Sequence, residues 1–129
     1  ASQEDFFQRS DVLSLHLRLN PETRGIVTAA NLASMKPTAV LVNTSRAPLI
    51  EAGALEAALK AGRPGMAAVD VFDEEPVLEH TLLALPNFLA TPHLGYVEKD
   101  SYELYFGDAF ENVLAFDAGT PGRNLAEEG

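Results

Sequence analysis

Three residues met in order along the chain, Arg46, Glu75 and His93, have the types that proton transfer on an anionic substrate requires. A planar guanidinium can grip a carboxylate through two parallel N–H donors. Imidazole is the side chain whose unperturbed pKa lies nearest neutrality. A carboxylate beside it makes a coupled acid/base pair. Arg46 closes the run Ala39-Val40-Leu41-Val42-Asn43-Thr44-Ser45-Arg46. Glu75 sits in Ala68-Val69-Asp70-Val71-Phe72-Asp73-Glu74-Glu75-Pro76, and His93 in Leu89-Ala90-Thr91-Pro92-His93-Leu94-Gly95. Each polar group follows an apolar run of the kind that forms a buried strand. In open α/β sheets, ligands bind beyond the carboxyl ends of parallel strands. The three groups are therefore expected to meet in one crevice. Taken singly, each has a plainer explanation: a surface ion pair for Arg46, loop polarity for Glu75, a satisfied structural histidine for His93. His80, in an acidic connector, is expected to be solvated.

The elements that would position these groups alternate between strand and helix. Ser2 can cap a short helix through Phe6-Phe7, with Glu4 and Asp5 at its positive end. Asp11 to Leu17 reads as a first strand. Asn20-Pro21-Glu22-Thr23 carries a helix-start pattern, a capping residue followed by proline. Thr28 is a second cap, before a helix from Ala29 to Met35 that Pro37 ends. Ala39 to Asn43 is continuously apolar, the pattern of a strand buried on both faces. Ala52 to Ala61 is expected to be a helix stopped by Gly62, with Leu55, Ala58 and Leu59 on one stripe. Gly65 to Val71 and Phe88 to Ala90 complete the strands, joined by a connector with one helical turn. From Glu98 to Phe116 apolar residues recur at helical spacing. The stripe of Tyr102, Tyr105, Phe106 and Phe110 is expected to be core or domain-packing surface. Residues 119–129 are expected to form a flexible tail. This alternation predicts an α/β fold, a partial Rossmann-like parallel sheet flanked by helices and ending in a long C-terminal helix. Nothing obvious covers the sheet edge before Asp11, which is a liability for a buried-type strand.

Composition narrows the function. The chain has 129 residues, is 47% hydrophobic, and carries a formal charge of −10. That charge argues against nucleic acid, whose phosphates would repel it, and against anionic membrane surfaces. The absence of cysteine excludes a disulfide, a thiolate nucleophile and a cysteine-ligated metal. No apolar run approaches the ~18 residues of a membrane span. The Asp73-Glu74-Glu75 cluster has no second ligand set at metal-binding spacing, so no metal is expected. A reducing, cytoplasmic setting is compatible. The opening Ala1-Ser2-Gln3-Glu4-Asp5-Phe6 reads as entry into the middle of a protein.

The blocks Ser10-Asp11-Val12-Leu13-Ser14-Leu15-His16, Asn20-Pro21-Glu22-Thr23-Arg24-Gly25, Met35-Lys36-Pro37, Asn43-Thr44-Ser45-Arg46, Val69-Asp70-Val71-Phe72 with Glu75-Pro76, Leu85-Pro86-Asn87 and Thr91-Pro92-His93-Leu94-Gly95 occur in that order. This ordered set resembles the D-isomer-specific 2-hydroxyacid dehydrogenases, whose members include phosphoglycerate, glycerate/hydroxypyruvate, D-lactate, formate and phosphite dehydrogenases. The resemblance runs from about residue 5 to 118. It implies NAD(P)-dependent reduction of a 2-keto acid to a D-2-hydroxy acid, with Arg46, Glu75 and His93 as the catalytic set. Arg46 would hold the substrate carboxylate and polarise the carbonyl, His93 would exchange the proton, and Glu75 would orient the imidazole. Thr44 and His16 would line the cofactor groove, Asp70 would sit near the nicotinamide amide, and Gly95 would contact the cofactor. From the residues alone, Asp70 as a cap of the following turn stays equally open. A homodimer formed through the cofactor domain is also implied.

The chain departs from the family pattern in places. The Gly-x-Gly-x-x-Gly turn that cradles the pyrophosphate is absent, as is the residue ~20 positions later that reads the adenosine ribose. In the family these precede the point matching Ala1. Residues 1–118 therefore correspond to the C-terminal part of a nicotinamide-dinucleotide-binding domain with its returning helix. Ala47-Pro48 stands where many relatives have glycine, and Arg18 where many have proline. A second possibility is a non-catalytic fragment or assembly module, needing a partner that supplies the phosphate-binding half.

Overall fold

Four short strands lie side by side in chain order: β1 (Val12–Leu15), β2 (Val40–Asn43), β3 (Met66–Val69) and β4 (Phe88–Ala90). All pairings are parallel, so each strand must return across the sheet before the next begins. Helices make two of those returns, α2 (Ala29–Ser34) and α3 (Ala54–Lys60), while α1 (Gln3–Arg9) precedes the sheet. The computed structural model describes residues 2–120. The chain divides between Leu94 and Gly95 into two compact units, the first holding the whole sheet. The second contains α4 (Lys99–Asp117).

Local chemistry sets the helix ends. The Ser2 hydroxyl accepts from the Asp5 N–H and the Asp5 carboxylate accepts from the Ser2 N–H, a reciprocal cap at the start of α1. Thr28 and Asn31 do the same for α2. Gly53 precedes α3 at φ 74, a left-handed turn that glycine adopts without steric cost; this is why α3 starts after the expected Ala52. Glu98 caps α4 by accepting from the Asp100 N–H.

The strand register decides which side chains are buried. Leu13, Leu41 and Ala67 lie in one row, and Leu15 and Val69 in another with Asn43 between them. These hydrophobic residues form one core with Phe7 of α1, Leu32 of α2, and Leu55, Ala58 and Leu59 of α3. Burying a side chain of leucine size contributes roughly 1.5–3 kcal/mol, so this face holds the unit together. The opposite face carries Val12, Met66 and Leu89, all exposed.

Several expectations change. Ala39–Asn43 reads as buried on both faces, but β2 has one buried face and one half-buried face, because the core residues of α1, α2 and α3 pack on the face that carries Leu41 and Asn43. Asn20 does cap, its side chain accepting from the Glu22 and Thr23 N–H groups. Yet the chain makes a single turn there and leaves it at Gly25, φ 66, instead of forming a helix. Of the two uses expected of the Tyr102 stripe, core is not the one taken, since α4 has no buried residue. Its rings pack instead on one another, Tyr96 on Tyr102 and Tyr102 on Phe106, with centroids 6.5 and 5.5 Å apart. The expected tail lies, beyond Thr120, outside the described residues. Among the described residues no helix is long and apolar enough to cross a membrane.

Candidate active site

The last rungs of the four strands line up as Leu15, Asn43, Val69 and Ala90. The next residue on each strand is His16, Thr44, Asp70 and Thr91. Three of these, His16, Thr44 and Asp70, are the residues expected to line the cofactor groove, and they stand one step past the sheet on three adjacent strands. His16 and Thr44 are exposed, and the His16 Nε2 lies 2.8 Å from the Ser14 hydroxyl. Gly95 sits in the turn that opens the second unit.

The loops beyond these ends bring the expected catalytic residues together. Arg46, Glu75 and His93 all line one open cleft of about 280 Å³, with Leu19, Pro48 and Phe72 among its walls. Glu75 is bound at both oxygens. Oε1 accepts from the Phe72 N–H at 2.8 Å, and Oε2 lies 2.7 Å from His93 Nδ1. The Phe72 N–H, and after it the His93 contact, hold the Glu75 carboxyl below the usual carboxylate range. Glu75 is therefore an acceptor at neutral pH, and the imidazole proton facing it sits on Nδ1. Nε2 is then the ring atom for proton exchange with a substrate. About a third of each of the two side chains is exposed (37% for His93, 33% for Glu75), so the pair is reachable from solvent.

His93 has φ 55 and, among the described residues, is the non-glycine residue with a left-handed backbone. Its loop is held by Asp70, a buried carboxylate whose Oδ1 accepts from the Leu94 N–H at 2.7 Å and from the Thr91 hydroxyl. Asp70 thus ties both sides of the Pro92-His93 step to the end of β3. Of the two uses the sequence left open, holding a turn is seen directly, though the turn is the one after β4.

Arg46 is exposed, its Nη1 donates to the Ser45 carbonyl at 2.6 Å, and among the described residues it has no carboxylate partner. A cation so placed can receive an anion from solution. Two participants escaped the sequence reading. Thr91 anchors the histidine loop, and Asn43 shapes the arginine loop. The signal for Asn43 was an amide ending an apolar strand, where an unpaired polar group would be costly. His80 accepts from the Leu82 N–H through Nδ1 and caps a 3-10 turn, so it does more than meet solvent. Among the described residues no group of three or more His, Cys, Asp or Glu is placed to hold a metal ion.

Residues 1–95 match the family profile described as D-isomer specific 2-hydroxyacid dehydrogenase, NAD binding domain. A glycerate dehydrogenase of Methylorubrum extorquens is 38% identical over 127 residues, 96% of this chain and 40% of that protein. The crystal structure of a phosphoglycerate oxidoreductase from Vibrio cholerae O395 superposes with a TM-score of 0.85 at 56% identity, covering 93% of this chain and 39% of the other. A D-isomer specific 2-hydroxyacid dehydrogenase from Xanthobacter autotrophicus Py2, solved with NADPH and MES, superposes at 0.72 with 34% identity, covering 95% and 50%. The chain therefore spans about 40% of the length of the curated relative it matches.

Proposed function

Because this chain belongs to the D-isomer specific 2-hydroxyacid dehydrogenase family, as part of its NAD-binding domain, we propose that the protein carrying it interconverts a small 2-keto acid and the corresponding D-2-hydroxy acid. The carrying observation is the Glu75–His93 pair, 2.7 Å apart, in the same cleft as Arg46. In this reading Arg46 holds the substrate carboxylate through its planar fork and offsets the charge growing on the carbonyl oxygen. His93 delivers a proton from Nε2 to that oxygen in reduction and takes it from the hydroxyl in oxidation. Glu75 holds Nδ1–H, keeps the ring in one orientation and stabilises the imidazolium.

NAD or NADP, when bound, supplies or accepts the hydride. The polar residues His16, Thr44 and Asp70, one step past three adjacent strands, fit one side of its groove. The chain contains no glycine-rich turn for the pyrophosphate, so this fit is that of the nicotinamide half. Residues 1–118 accordingly form the C-terminal part of the cofactor domain, with the returning helix, in a cytoplasmic homodimer. The test is to follow NADH and NADPH absorbance in the complete protein with a panel of 2-keto acids. Consumption with one of them, yielding the D-hydroxy acid, is expected. No consumption with any of them, in a folded protein that binds cofactor, would remove the assignment.

A further inference from the structure

Asn43 is the last residue of β2 and only 1% exposed, an amide closing a strand of valine and leucine. We infer that Asn43 is the positioning residue for Arg46, fixing the loop from which the guanidinium reaches the cleft. This inference rests on the proposed role of Arg46 as carboxylate anchor.

Both ends of the buried amide are used on that one loop. Nδ2 donates to the Arg46 carbonyl at 2.9 Å, and Oδ1 accepts from the Ser45 N–H at 3.0 Å. The amide itself is fixed from behind, because the Asn43 carbonyl accepts from the Asp70 N–H at 3.0 Å. The loop is also tied outward, the Ser45 hydroxyl donating to the Leu17 carbonyl at 2.6 Å. The guanidinium has no carboxylate to hold it among the described residues. What sets the origin of Arg46 is therefore its backbone, which Asn43 holds at two points, while the Ser45 hydroxyl and the Leu49 N–H donating to the Arg46 carbonyl at 3.3 Å hold it from outside.

The chemistry selects this residue type. One donor and one acceptor, at the reach of a single methylene, must satisfy two backbone groups of opposite kind. Leucine fills similar space and meets neither. Aspartate keeps the acceptor for Ser45 but turns a second oxygen toward the Arg46 carbonyl. Displacing a substrate-positioning group by about 1 Å can cost on the order of 100-fold in rate.

A double-mutant cycle in the complete protein separates positioning from support of the fold. Asn43→Ala and Asn43→Asp should raise KM for the keto acid and lower kcat/KM by about 100-fold, with the dissociation constant for NADH unchanged. In an Arg46→Ala background, adding Asn43→Ala should cost nothing more. If Asn43→Ala does not fold, Asn43→Ser, whose hydroxyl meets only one of the two loop partners, carries the same cycle. An undiminished Asn43 effect in the Arg46→Ala background would overturn the inference while leaving the anchor role intact. Wild-type kinetics in Arg46→Ala alone would overturn the anchor role, and the inference with it.

Discussion

A histidine at φ 55 is held there by its surroundings, because side-chain sterics disfavour that region for most residues. Here Asp70 grips Thr91 before it and Leu94 after it. Backbone strain retained at a cleft, in the residue best suited to proton transfer, motivates a functional role. A replacement should keep the strain tolerable and remove the chemistry. Asparagine visits the left-handed region readily, so His93→Asn should unfold near the wild-type midpoint. Its kcat should fall by at least about 100-fold, the span of a lost general acid, with cofactor affinity unchanged. Wild-type turnover in that variant would dismiss His93 as the proton donor. Glu75 makes a second prediction, on pH. Its folded pKa is depressed, first by the Phe72 N–H and then by His93. The stabilisation is therefore complete above the unfolded carboxylate value and is lost as pH falls through the folded one. Glu75→Gln has no ionisable carboxyl to lose. The stability gap between wild type and variant, measured by urea denaturation, should shrink on acidification below the ordinary carboxylate range. A gap constant across that range would show that ionised Glu75 contributes nothing. That Arg46, Glu75 and His93 would share one crevice was legible in the sequence because each follows an apolar run. The tethers Asn43 and Thr91 were harder to read, because a single hydrogen-bonding side chain leaves no periodic trace, and only the amide ending an apolar strand marked Asn43.

At the scale of elements, the site depends on register. His16, Thr44 and Asp70 share a level only because β1, β2 and β3 are paired as they are. Gly65 helps set that level for β3. The strand begins at Met66, whose N–H donates to the Ala39 carbonyl at 3.2 Å. A Cβ built on Gly65 would run into the Pro37 carbonyl, which is backbone and cannot swing aside. Gly65→Ala should therefore push the start of β3 away from the Pro37 turn and destabilise the protein by about 1–3 kcal/mol, the range for overpacking. Gly107→Ala is the matched control, since a Cβ there meets nothing within 4 Å. Equal unfolding midpoints for the two variants would mean that the close approach carries no weight. Helix starts at Ser2 and Thr28 were readable because a capping side chain acts within its own turn. Asn20 shows the limit of that logic. It caps correctly, but Gly25 turns the chain away after one turn, and cap chemistry does not reveal how long a helix continues. β2 misleads in another way: continuous apolarity specifies what a strand tolerates on each face, not what covers it.

For the whole molecule, two features of this chain point the same way. Parallel sheets are normally covered on both faces, yet here one face leaves Val12, Met66 and Leu89 exposed. The cleft that gathers Arg46, Glu75 and His93 is present, while the glycine-rich turn that would receive the pyrophosphate is not among these residues. A formal charge of −10 further disfavours a pyrophosphate dianion. The 129-residue chain alone should therefore bind NADH at least about 100-fold more weakly than the complete protein, a deficit of roughly 2.7 kcal/mol. Its exposed sheet face should make it self-associate at the same concentrations. Calorimetric titration with NADH, with the molar mass recorded by light scattering on the same sample, reads both. Weak or no binding by a folded chain places the phosphate recognition outside these residues. Tight, saturable binding by a monomer would mean that these strand ends hold the cofactor unaided, and the division of labour between the two halves of the groove would have to be abandoned. Tight binding by an assembled species alone would show one copy completing the groove of another, and dilution should then abolish binding and assembly together.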